Sequence, residues 1–113
     1  MECQEIMNGI RKKQFAPIYF LMGEEPYFID MIADTIEEEA LEEADRAFNQ
    51  IVVYGRDVDV ETVASHARSF PMMGDRMVVI VKEAQDLKNI EEFEKHLDAI
   101  PKTTILVFAY KHK

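Results

Sequence analysis

At 113 residues the chain can form one domain with a sizeable core, but not two. Acidic side chains outnumber basic ones 22 to 13, for a net charge of −9. This excludes a stand-alone nucleic-acid binder, because phosphate attraction needs clustered Lys and Arg.

The chain opens with an amphipathic helix over about Glu2–Lys13, with Ile6, Met7 and Ile10 on one side and Gly9 weakening it. The polar start resembles no secretory leader, and no apolar run is long enough to span a bilayer. The single Cys3 has no partner for a disulfide or a shared metal and reads as an incidental thiol. A reducing cytoplasm without membrane attachment is therefore expected. The segment Gln14–Pro17 ends the first helix, since a proline pushes the residue before it into extended geometry. Strand one, Ile18–Met22, is apolar throughout, which predicts burial on both faces.

Gly23-Glu24-Glu25 follows, and Pro26 suits the first turn of a helix running toward Ala44. Phe28, Ile29, Ile32, Ala33, Ile36 and Ala40 are expected to face inward along it. Strand two is Asn49–Tyr54, ended by Gly55. Asp59 caps a short helix with Val60, Val63, Ala64 and Ala67 at helical spacing. The segment 69–75 breaks the pattern, and strand three is Met77–Val81. Asn89 with Glu92 makes a capping-box-like start to a helix bearing Ile90, Phe93, Leu97 and Ile100. Pro101 follows it, and strand four is Thr103–Tyr110. Strands alternating with helices imply an α/β fold with a parallel sheet covered on both faces. A chain ending on a strand is expected to be a domain of a longer protein.

Strand, glycine turn and proline-started helix form the layout in which many α/β proteins hold a nucleotide phosphate on bare N–H groups and a lysine. Here the loop Gly23-Glu24-Glu25 has no second glycine, no lysine and no Ser/Thr for a metal, and its two carboxylates would repel a phosphate. The scaffold is therefore expected to bind no nucleotide. Nothing in the sequence has the pattern of a catalytic triad or a metal-ligand set. His66, His96 and His112 fall on two helices and the tail, with the first two expected on helix surfaces. Cofactor, metal and catalytic residues are all expected to be absent. Glu24, Glu25 and Glu83 near strand ends leave a receiver-like signalling domain as the alternative, although the phosphoacceptor aspartate of a receiver is missing. The acidic run Glu37–Asp45 reads as a solvated helix face, or as a surface for a basic partner.

The loop Phe70–Asp75 carries Pro71, Met72 and Met73 in succession, residues that ordinarily avoid exposure. They either pack under the sheet edge or form an adaptable contact surface, and composition does not separate the two.

Two stretches, Pro17–Asp30 (PIYFLMGEEPYFID) and Ser69–Val81 (SFPMMGDRMVVIV) followed by Glu83-Ala84, resemble the bacterial DNA polymerase III clamp loader delta subunit family. The resemblance runs through nearly the whole chain, in order. It implies an AAA+-like (P-loop NTPase-like) N-terminal domain over residues 1–113 with a degenerate phosphate loop. Strand one would lie beside strand four, strand four beside strand three, and a fifth strand would be missing. A lid and a helical collar would follow in the full protein. The resemblance further implies a subunit that binds and helps open the sliding clamp (the beta subunit) for DNA replication. It would bind other clamp loader subunits through the full-length chain and meet DNA only in the assembled complex. Polymerase activity would belong to the complex. In that family two adjacent apolar residues enter a hydrophobic pocket on the clamp. Aligned through Arg76, they fall on Met72 and Met73, flanked by Phe70 and Pro71. The family often has leucine and phenylalanine at these two positions, so the methionines are a departure.

Overall fold

The computed structural model describes residues 3–12, 15, 18–23, 25–72 and 74–111, with side chains from Ile6 onward. Four strands, β1 (Ile18–Gly23), β2 (Gln50–Tyr54), β3 (Met77–Lys82) and β4 (Thr104–Lys111), form one sheet in the order β1-β4-β3-β2. Every pairing is parallel, with Ile18 opposite Leu106, Val78 opposite Ile105 and Gln50 opposite Val78. This is the AAA+-like order implied by the family resemblance. It leaves no place for the receiver-like alternative, in which the first strand lies inside the sheet beside the second.

Side chains alternate across β3 and β4 and build two cores. Val78, Ile80, Ile105 and Val107 pack with Tyr19 and Leu21 of β1 against Met7 and Ile10 of α1 (Cys3–Arg11). The same cluster takes in Ile29, Ile32, Ala33 and Ile36 of α2 (Pro26–Glu39). Met77, Val79, Val81, Leu106 and Phe108 face the other way, onto Val60, Val63, Ala64 and Ala67 of α4 (Val60–Arg68), and onto Ala84, Leu87 and Phe93. A two-residue period on β3 and β4 thus serves two helical layers at once. Asp59 caps α4 as expected: its carboxylate accepts the Thr62 N–H at 2.8 Å, and hydrogen bonding to the Thr62 side chain, then to its backbone, holds its pKa below the ordinary value.

Several expectations are corrected. β1 is an edge strand, so only Tyr19 and Leu21 are buried, while Phe20 and Met22 are about half exposed (47% and 53%). Phe20 leans on the rings of Phe108 and Tyr110 instead. The second helix ends at Glu39, not near Ala44, and a separate helix α3 (Glu43–Asn49) follows. Glu37, Glu38 and Glu39 at a helix C-terminus oppose the helix dipole, whereas Glu43 and Asp45 suit the first turn of a new helix. α3 therefore takes Asn49 from the predicted second strand. Phe28 points outward and meets Tyr27 edge to face. The segment Ile90–Ala99 is wound as a 3₁₀ helix, and Asn89 enters it in the left-handed region (φ 58°) with no side-chain cap bond, so the capping box does not form. Leu97 is partly exposed on it (39%). His96 is no surface residue: its ring lies against Phe93, with Nδ1 3.3 Å from Arg68 Nη1 and Nε2 3.3 Å from Glu61 Oε1.

Candidate functional site

The turn after β1 is the place where an α/β fold of this kind would hold a nucleotide. β1 closes on Gly23, and the exposed Glu25 occupies the N-cap position of α2 without making a side-chain cap bond. Glu24 lies outside the described residues. Pro26 has no N–H, and Phe28 and Ile29 direct theirs to the Glu25 carbonyl, so this helix start has little to offer an anion.

Across the register from Gly23 stands Lys111. Its ammonium is bound by two carboxylates, Glu83 Oε2 at 2.6 Å and Asp30 Oδ1 at 2.9 Å. Gln85 completes the group: its Nε2 donates to Glu83 Oε1 at 2.8 Å and its Oε1 accepts the Lys111 backbone N–H at 3.0 Å. The hydrogen bonds from Lys111 and Gln85 hold the Glu83 carboxyl below the usual range. The bond to Glu83 raises Lys111 despite its partial burial. Lys82 is committed in the same way, to Glu37 at 3.0 Å and Asp34 at 3.3 Å. Burial pulls its pKa down, but the two carboxylates outweigh this and raise it. Both of these lysines are neutralised by the protein's own acids. Among the described residues, no three His, Cys, Asp or Glu side chains are grouped to hold a metal ion.

The loop between α4 and β3 has the opposite character. Phe70 is 73% exposed and Met72 62%, with Pro71 half-buried between them. Met73 lies outside the described residues. An apolar tip held in solvent is unusual unless something covers it. The loop is also firmly fastened. Ser69 closes α4 by bonding back to His66 and Ser65. Thr104 donates its hydroxyl to the Ala67 carbonyl at 2.9 Å, tying the helix end to β4. Asn49 Oδ1 accepts the Met72 N–H at 2.6 Å while its Nδ2 donates to the Met72 carbonyl at 2.9 Å. Beyond the tip, Arg76 stacks its guanidinium over the Phe15 ring at 4.8 Å. Asn49 and Thr104 are the buried polar residues among those described, and both bond to the segment that carries the loop.

The sequence pointed to Phe70, Pro71 and Met72, and the structure brings them together at one tip. Gly23 and Glu25 lie away from it, at the turn after β1. Asn49 was missed because it was assigned to a strand, and its contact with residue 72 is far apart in sequence. Phe48, 65% exposed on α3 next to Asn49, was missed as well. An aromatic between an alanine and an asparagine carries no periodic signal.

The comparisons with known proteins agree with one another. The family model described as "DNA polymerase III, delta subunit" matches residues 19–113. The DNA polymerase III subunit delta of Bacillus subtilis (strain 168) is 26% identical over 99 residues, which is 85% of this chain but 28% of the relative. Among solved structures, the Bacillus subtilis DNA clamp loader delta protein (YqeN) has the same fold, with a TM-score of 0.81 at 21% identity. The match covers 98% of this chain and 36% of that one. This chain therefore spans well under half the length of either relative. With a family model matched over nearly all of its length and the fold shared, the chain belongs to the DNA polymerase III delta subunit family and corresponds to that subunit's N-terminal domain.

Proposed function

We propose that this domain docks a clamp loader on the sliding clamp through the tip Phe70–Met73 and helps open the ring, without binding or hydrolysing ATP itself. The observation that carries the reading is an exposed apolar tip fixed by buried polar side chains, which is the form expected of an anchor for an apolar pocket. The paired cations beside Gly23 support the second half, since a phosphate would meet Asp30 and Glu83 rather than a free ammonium. In this reading a lid and a collar follow in the full-length protein and contact the other loader subunits. DNA is met only in the assembled complex, in the cytoplasm, and polymerase chemistry belongs to the complex.

The test is binding of the full-length subunit to surface-immobilised clamp. Truncating Met72 and Met73 to alanine removes two side chains, each contributing roughly 1.5–3 kcal/mol when buried, so affinity is expected to fall on the order of a hundredfold or more. The loop itself should stay in place, because Asn49 holds Met72 by its backbone and not its side chain. Glu38→Gln with Glu42→Gln, both exposed, should leave affinity nearly unchanged. Parent-like binding by the methionine variant, or loss of binding that merely follows unfolding in a thermal melt, would refute the anchor.

A further inference from the structure

We propose that Asn49 is the positioning residue of this contact loop: its buried carboxamide aims Met72 at the partner. The inference rests on the reading of Met72 as an anchor. Asn49 is 1% exposed and is the last residue of α3. A carboxamide offers a donor and an acceptor in one plane, and here both are used on the two backbone groups of a single residue. That two-point grip fixes the peptide on either side of the Met72 Cα, and with it the direction in which the exposed thioether leaves the surface. No other uncharged side chain of this length could do both.

The surroundings are shaped to keep the grip. A Cβ at Gly74 would lie 2.8 Å from Asn49 Nδ2, closer than real contacts allow. A flexible side chain could ordinarily move aside, but Asn49 is enclosed and bonded twice, so glycine at 74 leaves the room the carboxamide needs. α3 is itself rooted. The Arg46 guanidinium donates to the Glu38 carbonyl, and Gln50 Nε2 donates to the Glu37 carbonyl at 3.0 Å, joining the helix to the end of α2. Gln50 then begins β2. The aim of Met72 is therefore set by the sheet and by α2, elements distant from it in sequence. Pre-organisation of this kind raises affinity because the ordering of the loop backbone is complete before the partner arrives.

The experiment is a double-mutant cycle in the full-length subunit, reading clamp affinity for the parent, Asn49→Ala, Met72→Ala and the double variant. Amide hydrogen exchange at residue 72 is followed in each free protein. Asn49→Ala is expected to weaken binding roughly tenfold, the order set by freeing the backbone of one or two residues, and to speed exchange of the Met72 amide. On the Met72→Ala background the same change should cost little more, because the thioether that Asn49 aims is already gone. Parent-like binding by Asn49→Ala overturns the proposal. So does an undiminished loss on the Met72→Ala background, since a general loss of folding would act equally on both. If Asn49→Ala does not fold, Gly74→Ala decides, with weaker binding and faster exchange at 72 expected and parent-like binding overturning the idea. Parent-like binding by Met72→Ala alone would instead remove the anchor reading itself.

Discussion

Lys111, Glu83 and Asp30 show how single side chains can close a site. Two carboxylates meet one ammonium within 3 Å at the end of β4, at the place where the fold could otherwise receive an anion. Their titration gives a pH signature. Glu83 is held below its ordinary 4.5 in the folded state, so its contribution to stability is present above that value and is lost as pH falls through the lowered one. Lys111 is held above its ordinary 10.5, so its share is present below that value and is lost as pH rises through the raised one. Glu83→Gln should therefore lower the urea midpoint on the plateau between these limits, and parent and variant should converge as the solution is acidified below the carboxylate range. Glu83 is about one-third exposed, so screening keeps the difference to about 1 kcal/mol or less. A gap that persists unchanged at pH 3 would contradict this account.

At the scale of elements, Gly55 makes the clearest prediction. It follows β2 and starts a short 3₁₀ turn, and a Cβ there would overlap the Glu83 carbonyl oxygen and lie 2.9 Å from the Leu87 backbone N. Both neighbours are backbone and cannot swing away. Gly55→Ala should cost about 1–3 kcal/mol, the usual range for overpacking, measured as a fall in the denaturant midpoint with little change in slope. A neutral alanine would mean that the two turns can separate freely. The same junction marks where sequence reasoning holds and where it fails. The four strands were legible because apolar runs bounded by Gly and Pro are local signals, and the α4 cap was legible because Asp59 and Thr62 are three residues apart. The break between α2 and α3 was not legible, since the acidic run 37–45 reads as one helix until the dipole at each end is considered. The exposed face of β1 was hidden for another reason: a run of apolar residues says nothing about which strand lies at the edge. Composition left the loop tip open between packing and contact and only the family resemblance singled it out, whereas the asparagine that holds it shows only in the folded chain.

Over the whole molecule, the charge arrangement predicts a silent titration. Magnesium-ATP added to the subunit in a calorimeter should give no saturable heat, because Lys82 and Lys111 are already paired and the α2 start is blunted by Pro26. Micromolar saturable binding would return the turn after β1 to service as a nucleotide site. The sheet order has a consequence of another kind. Among the described residues β1 pairs with β4, and Ile18 meets Leu106 only after β2 and β3 have been made. A ribosome releases β1 well before its partner, so α1, α2 and β1 must wait with their apolar faces unclosed while β2 and β3 emerge. Closing so long a loop is slow. The sheet cannot close from its beginning, and the moment of commitment falls when β4 is released and slides in between β3 and β1.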